Sequence, residues 1–319
     1  MNTLGSVIAI VGPTAVGKTD IAVALAQRHG GEIVSADSMA VYRGADIGTA
    51  KPTPAQRRAV PCHLIDVVEP SETFDVAEYR RMATEAIEAI KQRGRLPFVV
   101  GGTGLYVRAL LDGLGLTSVP ANSAVRAELW QVARLQGSST LHAQLAAVDP
   151  VTASRLHPND TVRIVRALEV WKCTGEPLSV WIERDQQQRR PVASVRIGLS
   201  VAMDVLDRRI DARVDAMMAS GLLDEVRALM SRGARPAAGI MRGLGYRELC
   251  DHLMGTSSLA EAVTAIKHNT RRFARRQRTW FRGDPSVQWL DITGLSLDEA
   301  VDRVSAKIQP REKGMKNNG

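Results

Sequence analysis

Cysteine and long apolar runs are scarce in this 319-residue chain, and each scarcity excludes a class of protein. The three cysteines, Cys62, Cys173 and Cys250, are far apart and form neither a CxxC pair nor a zinc-ligand spacing. This usage argues against a disulfide framework and favours a reducing, cytoplasmic setting. No apolar run approaches the ~18 residues of a membrane span, so we expect no membrane partner. The first apolar run follows without a charged segment or cleavage site, so we expect no secretory signal.

Acidic residues are also outnumbered, because 34 Asp and Glu stand against 42 Lys and Arg, a formal net charge of +8. A basic chain suits a polyanionic partner, although many basic proteins never bind nucleic acid. The apolar content of 45% and charged content of 24% are ordinary for a globular protein. The length indicates about two domains, or one domain with an insertion.

The most informative stretch is GPTAVGKT at residues 12–19, which we call the P-loop. It follows an apolar run at 7–11 and precedes a helix-like run at 20–28, the strand–GxxxxGK[ST]–helix context. Its glycines allow backbone N–H groups to point at an anion, and the helix N-terminus adds positive potential. The pattern predicts a diphosphate or nucleotide site with a Mg²⁺ ligand at Thr19, and leaves the compound open. The predicted site residues are Gly12, Pro13, Thr14, Ala15, Val16, Gly17, Lys18 and Thr19.

Strand-like and helix-like segments alternate after the P-loop, which predicts an α/β fold with a doubly wound parallel sheet. The carboxyl ends of parallel strands carry ligand sites, so Asp37, at the end of strand 31–38, should lie beside the P-loop. A local turn-capping role for Asp37 is equally compatible with its position. The Gly-rich turn 101–106 follows another buried strand, and it is either a close approach for a ligand or a structural turn. The further strands are predicted at 62–68, 96–100, 195–203 and 287–292.

A change of pattern predicts a helical insertion into this core. Residues 117–192 contain four helix-like segments and no convincing strand. We therefore divide the chain into a first part of the P-loop core, the insertion, a second part of the core and a disordered tail, at 1–116, 117–192, 193–308 and 309–319. The second part of the core begins with a strand and continues with a single long helix at 206–231.

Residues 267–283 contain seven basic side chains and no Asp or Glu. Five of the basic residues recur at helical spacing and form one stripe: Lys267, Arg271, Arg275, Arg278 and Arg282. We interpret this basic stripe as a footprint for a phosphate backbone. A solvated charged face is the alternative, but such faces usually mix both signs.

Six motifs then stand in a fixed order: GPTAVGKT at 12–19, SADS at 35–38, YRGADIGTAKP at 42–52, GGTGLY at 101–106, HPND at 157–160 and RRQRTW at 275–280. In this order they resemble the bacterial tRNA dimethylallyltransferases over nearly the whole chain. The chain departs from the family at Cys62, where His is common, and at Arg275, where Lys is usual. It lacks the carboxy-terminal zinc module of eukaryotic relatives, so we expect no zinc.

The resemblance implies transfer of a dimethylallyl group from dimethylallyl diphosphate to N6 of adenosine 37 in tRNA, next to the anticodon. It implies three catalytic residues. Asp37 would be the general base for the adenine amino group, Arg213 a cation for the leaving diphosphate, and Thr103 a hydrogen-bonding group. The P-loop and Mg²⁺ would hold diphosphate as a leaving group.

The resemblance also implies an anticodon stem-loop site, with the target base extruded from its stack. We expect a monomer that binds tRNA mainly with the helical insertion, a loop at 242–247 and the basic helix. The implied tRNA-binding residues are Asp37, Ser38, Met39, Ala40, Thr103, Arg126, Val162, Arg163, Ile164, Val165, Arg166, Arg242, Gly243, Leu244, Gly245, Tyr246, Arg247, Arg275, Arg276, Gln277, Arg278, Thr279, Trp280, Phe281 and Arg282.

Without the resemblance, the residues support only a phosphate-binding α/β protein with a nucleic-acid partner. A P-loop small-molecule kinase fits the P-loop equally well, but it leaves the basic helix and the insertion unexplained. A nucleic-acid-dependent ATPase would need a second acidic motif that the sequence does not show. An adenylate prenyltransferase acting on free nucleotides is the nearest alternative, and a mononucleotide needs neither the insertion nor the basic helix.

Overall fold

The computed structural model describes residues 6–113, 119, 121–236 and 238–308. The chain divides into two compact units. The sheet unit comprises Met1–Leu111 and Val192–Gly319, and the helical unit comprises Asp112–Pro191. The predicted tail at 309–319 lies outside the described residues.

The sheet unit is built on a six-stranded parallel sheet, which confirms the predicted fold class. The strand order is β3-β2-β4-β1-β5-β6. The strands are β1 Val7–Val11, β2 Gly31–Ser35, β3 Cys62–His63, β4 Leu96–Gly101, β5 Ser194–Ser200 and β6 Val287–Asp291. Strand β1 is central and buried on both faces, which explains its unbroken apolar sequence. Its carboxyl end, with those of β2 and β4, brings three loops to one edge of the sheet.

Helices cover both faces of this sheet. Alternate residues of β1 pack into two different clusters, with Ile8 and Ile10 on one side and Val7 and Ala9 on the other. The helices of the sheet unit are α1 Lys18–His29, α2 Pro54–Ala59, α3 Val76–Gln92, α4 Gly104–Leu111, α10 Met203–Ala219, α11 Leu222–Ser231, α12 Tyr246–Leu253, α13 Leu259–Arg282 and α14 Leu297–Ile308.

Two predicted elements of the sheet unit are wrong in extent. The strand expected at 62–68 ends after His63, because Leu64 and Asp66 adopt left-handed φ angles of 61° and 58°. The single helix expected at 206–231 is two helices, because Gly221 has a φ of 92° and caps α11. The apolar pattern continues through this break, so periodicity alone does not reveal it. Helices α2 and α12 were not predicted.

The helical unit contains five helices among its described residues: α5 Ser123–Gln136, α6 Ser138–Val148, α7 Pro150–Ala153, α8 Thr161–Thr174 and α9 Leu178–Gln188. Its own apolar core includes Leu129, Leu141, Leu145 and Leu168. Asp160 caps α8 by accepting a hydrogen bond from the Arg163 N–H, as its place in the HPND motif suggests. Helix α9 was not predicted.

Candidate active site

The P-loop forms a cradle at the carboxyl end of β1. Gly12 has a φ of 144°, and a Cβ there would lie 2.6 Å from the Leu199 carbonyl oxygen, so only glycine fits. Gly17 has a φ of 101° and caps α1 without a side-chain hydrogen bond. The first turn of α1 therefore keeps N–H groups free of a side-chain cap, which suits an anionic ligand.

Lys18 folds back over this cradle. Its Nζ donates hydrogen bonds to the carbonyl oxygens of Gly12 at 3.0 Å and Pro13 at 2.7 Å. The pKa of Lys18 is lowered to about 7, mainly by burial and secondly by the positive charge of Arg213, while the negative charge of Asp37 opposes both. Burial likewise lowers the pKa of Arg213, while Asp37 and Asp20 raise it. An anion placed here would favour the charged form of Lys18.

Asp37 lies on the same edge as the P-loop, and both interpretations of it hold. Its Oδ1 accepts hydrogen bonds from the Met39 N–H at 2.8 Å and the Ala40 N–H at 3.3 Å, so it caps the local turn. It also lines two cavities together with Lys18 and Arg213. The turn therefore orients a carboxylate toward the ligand space.

The Gly-rich turn after β4 packs closely against two other segments and borders the same cavities. A Cβ at Gly101 would lie 2.1 Å from the Ala36 carbonyl oxygen, and one at Gly104 would lie 2.1 Å from Nε1 of Trp280. Each glycine thus admits a neighbouring element that an alanine would displace. Between them, the Thr103 hydroxyl accepts a hydrogen bond from the Ser38 N–H at 3.0 Å, which joins this turn to the Asp37 turn.

Two cavities meet at Asp37, Lys18 and Arg213. The phosphate-side cavity, of about 320 Å³, is lined by Thr19, Ser35 and Lys51 among others. The arginine-side cavity, of about 330 Å³, is lined by Arg242, Arg247 and Arg276 among others. Six residues line both cavities: Thr14, Ala15, Lys18, Asp37, Thr49 and Arg213. A ligand in either cavity would reach the same carboxylate and the same two cations.

The loop predicted at 242–247 borders the arginine-side cavity along its whole length. Arg247 pairs with Glu248 at 2.6 Å and its side chain is half-exposed. Tyr246 is buried and fills the space over Gly48, where a Cβ would lie 2.6 Å from its hydroxyl oxygen. The structure thus brings this loop together with Asp37 and Thr103, as the sequence analysis expected.

The basic stripe is only partly available to RNA, which corrects its interpretation as an open phosphate footprint. Helix α10 carries a matching row of carboxylates. Its three ion pairs with α13 are Lys267–Asp215 at 2.6 Å, Arg271–Asp211 at 3.0 Å and Arg275–Asp207 at 2.6 Å. These pairs hold together the two helices that supply Arg213 and Arg276 to the arginine-side cavity. We call them the α10–α13 ladder.

Three side chains predicted to contact tRNA are buried in apolar cores, so direct contact is wrong for them. Ile164 and Val165 pack inside the helical unit, and Phe281 packs beside Val287 in the sheet unit. A fourth, Gln277, is buried and its amide is bonded to Thr14 and Gly102. The family resemblance assigned every residue of each motif to tRNA. A helix, however, buries the side chains on one face and exposes those on the other.

Arg126 and Arg166 of the helical unit enclose a buried carboxylate. Glu169 is fully buried and pairs with Arg126 at 2.9 Å and Arg166 at 2.7 Å. Burial raises the pKa of Glu169, but hydrogen bonds from Arg166, the Asn122 N–H and Arg126 lower it more, so its pKa lies below the usual value. Both arginines therefore have a structural role, while Arg163, which pairs with Asp160, is exposed.

Glu225 is a structural residue that sequence reasoning missed. Its carboxylate accepts hydrogen bonds from the backbone N–H groups of Asp46, Ile47 and Gly48, and from the Tyr246 hydroxyl. This one side chain fixes both the loop 42–52 and the wall formed by Tyr246. An acid on a helix ~180 positions away carries no local signal of this role.

Mg²⁺ is the cofactor that the sequence resemblance implies, and the oxygen donors of the phosphate-side cavity fit it. The hydroxyls of Thr19 and Ser35 and the carboxylate of Asp37 line this cavity. Mg²⁺ favours such oxygen ligands and usually takes one or two protein groups together with substrate phosphates and waters. The described residues contain no cluster of three or more His, Cys, Asp or Glu that could hold a metal alone.

Comparisons with known proteins place the chain in one family. Residues 40–284 match the family model described as IPP transferase. A tRNA dimethylallyltransferase of Geobacillus thermodenitrificans is 49% identical over 308 residues, 95% of this chain and 97% of the relative. A tRNA dimethylallyltransferase of Geobacter metallireducens is 50% identical over 287 residues, 90% of this chain and 93% of the relative.

Solved structures give the same result. The full-length tRNA isopentenylpyrophosphate transferase of Bacillus halodurans is 44% identical, with a TM-score of 0.70 over 95% of this chain and 97% of that one. A eukaryotic dimethylallyltransferase acting on tRNA is 29% identical, with a TM-score of 0.78 over 94% of this chain and 77% of that one. Within the described residues, no helix combines the length and apolar composition needed to span a membrane.

Proposed function

The chain belongs to the IPP transferase family, and from that premise we propose that it transfers a dimethylallyl group from dimethylallyl diphosphate to N6 of adenosine 37 in tRNA. The products are N6-(dimethylallyl)adenosine in tRNA and diphosphate. The observation that carries the proposal is the meeting of two cavities at Asp37, Lys18 and Arg213. One cavity has the features of a diphosphate site and the other is bordered by arginines.

Asp37 is the general base in this proposal. N6 of adenine forms a bond to the allylic carbon while the bond from that carbon to the diphosphate oxygen breaks. The amino group is a poor nucleophile because its lone pair is delocalised, so loss of a proton to Asp37 assists the attack. The turn that holds Oδ1 on the Met39 and Ala40 N–H groups fixes the carboxylate in place.

The leaving diphosphate gains negative charge as the bond breaks. Lys18, Arg213 and the N–H groups at the start of α1 are the positive groups that would stabilise it. Mg²⁺ held through Thr19 would supply further charge neutralisation to the diphosphate oxygens. Thr103, which borders the same cavity and is bonded to Ser38 of the Asp37 turn, would hydrogen-bond the reacting nucleotide.

The acceptor is proposed to be the anticodon stem-loop. Adenosine 37 would leave its stack to reach Asp37, because Asp37 lines a cavity and a stacked base cannot enter one. The polar groups for recognition are those that border the arginine-side cavity, including Arg242, Arg247 and Arg276. Exposed Arg163 offers a second phosphate contact on the helical unit. We further propose a monomer, and a cytoplasmic location because its tRNA substrate is found there.

The test is transfer of label from radiolabelled dimethylallyl diphosphate to unmodified tRNA that carries adenosine 37. Free AMP serves as a second acceptor, and Asp37→Ala and Lys18→Ala are compared with wild type. Label on tRNA that falls by at least ~100-fold in Asp37→Ala supports both the reaction and its base. Label on AMP would favour an adenylate prenyltransferase. ATP turnover without any label transfer would replace the proposal with a kinase.

A further inference from the structure

Gln277 lies in the middle of the basic helix but makes its polar contacts with the P-loop. Its Oε1 accepts a hydrogen bond from the Thr14 N–H at 2.8 Å. Its Nε2 donates a hydrogen bond to the Gly102 carbonyl oxygen at 3.0 Å. The side chain is only 7% exposed. Both ends of the amide are therefore committed to protein partners, although the residue itself borders the arginine-side cavity.

The space for this amide depends on a glycine. A Cβ at Gly102 would lie 2.1 Å from Nε2 of Gln277, closer than any real Cβ contact. Three segments thus converge on one side chain: the P-loop after β1, the Gly102–Thr103 turn after β4, and α13. The segments are remote in sequence, since Gln277 is separated from Thr14 by 263 positions.

The bond to Thr14 bears on diphosphate binding. The Thr14 N–H belongs to the P-loop, whose N–H groups are the expected anion donors. Lys18 bonds to the carbonyls of Gly12 and Pro13 in the same turn. Gln277 and Lys18 therefore both hold the P-loop through hydrogen bonds to its backbone and fix its shape before a ligand arrives. A preorganised loop binds an anion more tightly, because less ordering remains to be done on binding.

We propose that Gln277 is a positioning residue for the diphosphate site and the Thr103 turn, with its amide engaged by the protein and not by RNA. The inference rests on the proposed transfer reaction for its kinetic part. It gives the glutamine of the RRQRTW motif a role different from that of its arginine neighbours. It also makes the helix that carries Arg276 a direct support of the P-loop.

The experiment compares Gln277→Met, which keeps the length of the side chain and removes both hydrogen bonds, with wild type. Thr264→Ala, an exposed position on the same helix, is the matched control. Affinities for inorganic diphosphate and for an unmodified anticodon stem-loop are measured by calorimetry. We expect Gln277→Met to weaken diphosphate binding and to raise KM for dimethylallyl diphosphate by about 10-fold. Stem-loop affinity should stay within about 2-fold of wild type, because no RNA contact is lost.

A second variant keeps the proposal testable if Gln277→Met does not fold. Gly102→Ala displaces the same amide from the other side, so it should weaken diphosphate binding similarly, and the double variant should add little to either single effect. Unchanged diphosphate affinity, or an equal loss for diphosphate and stem-loop, would overturn the positioning role. Diphosphate binding needs no transfer reaction, so this result stands even if wild-type label transfer fails.

Discussion

Asp37 uses its two carboxylate oxygens for different purposes. Oδ1 accepts two backbone N–H groups of its own turn, whereas Oδ2 has no hydrogen bond to any described residue. A side chain held by one oxygen presents the other in a fixed direction, which is what a general base requires. The turn cap seen in the structure and the proposed role as a base are therefore compatible in one residue.

Glu225 offers a test of the cavity wall at the scale of one residue. Glu225→Ala leaves three backbone N–H groups and the Tyr246 hydroxyl without their acceptor. We expect a loss of about 1–3 kcal/mol in the free energy of unfolding, because hydrogen-bond donors left without an acceptor destabilise the folded state. We also expect a higher KM for tRNA, since Gly48 and Tyr246 both border the arginine-side cavity.

Chemical denaturation and steady-state kinetics measure these two effects. Asp224→Asn is the control, because Asp224 precedes Glu225 on α11 but its exposed carboxylate pairs with Arg227. Equal behaviour of the two variants would show that the Glu225 contacts do not hold the loop.

At the scale of an element, the α10–α13 ladder changes what the basic helix does. Each rung joins partly exposed side chains, so each adds only about 0–1 kcal/mol of stability. The larger consequence is electrostatic, because the three carboxylates neutralise the half of the stripe at 267–275. Arg276, which borders the arginine-side cavity, lies outside these three ion pairs.

Replacing the three carboxylates should therefore strengthen indiscriminate RNA binding. In the triple variant Asp207→Asn, Asp211→Asn and Asp215→Asn, the stripe gains three uncompensated positive charges. We expect tighter binding to an unrelated RNA hairpin and a steeper loss of that binding with salt. Filter binding at several salt concentrations measures both. A triple variant with the wild-type salt slope would contradict the neutralising role.

The helical unit contains the clearest pH-sensitive group among those described. Glu169 has a pKa below the usual value of 4.5, so its charged form favours the folded state. Its contribution is complete above pH 4.5 and is lost as the pH falls through the lowered pKa of the folded protein. Glu169→Gln should destabilise the protein by about 3–5 kcal/mol at pH 7 and reduce its loss of stability in acid.

Unfolding monitored between pH 3 and pH 7 tests this expectation. Glu128→Gln is the matched control, because the exposed Glu128 also pairs with a basic residue, Lys172. The expectation fails if Glu169→Gln and Glu128→Gln unfold alike across this range.

At the scale of the whole molecule, features set by local sequence patterns could be predicted, and features set by contacts between distant residues could not. The positions of the P-loop and Asp37 could be predicted because strand–loop–helix patterns are local and parallel strands end at one edge, whereas the 242–247 loop was identified only through the family resemblance. The carboxylate partner of Arg275 lies 68 positions upstream, and the loop partner of Gln277 lies 263 positions upstream. No local pattern marks such pairings, so a charged stripe and a motif residue were both assigned to RNA.

The proposed RNA contacts are distributed over two units, which gives a final prediction. Arg163 on the helical unit and Arg247 on the sheet unit are both exposed cations within motifs assigned to tRNA. Arg163→Ala and Arg247→Ala should each weaken tRNA binding and reduce its salt slope by about 1, as expected for loss of one phosphate contact. Because the two residues belong to separate units, their losses should add in the double variant.

Arg184→Ala and Arg81→Ala, similarly exposed and ion-paired, are controls for the two units and should bind as wild type. Full affinity in the double variant would remove both positions from the tRNA site, and full affinity in one single variant would remove that position alone.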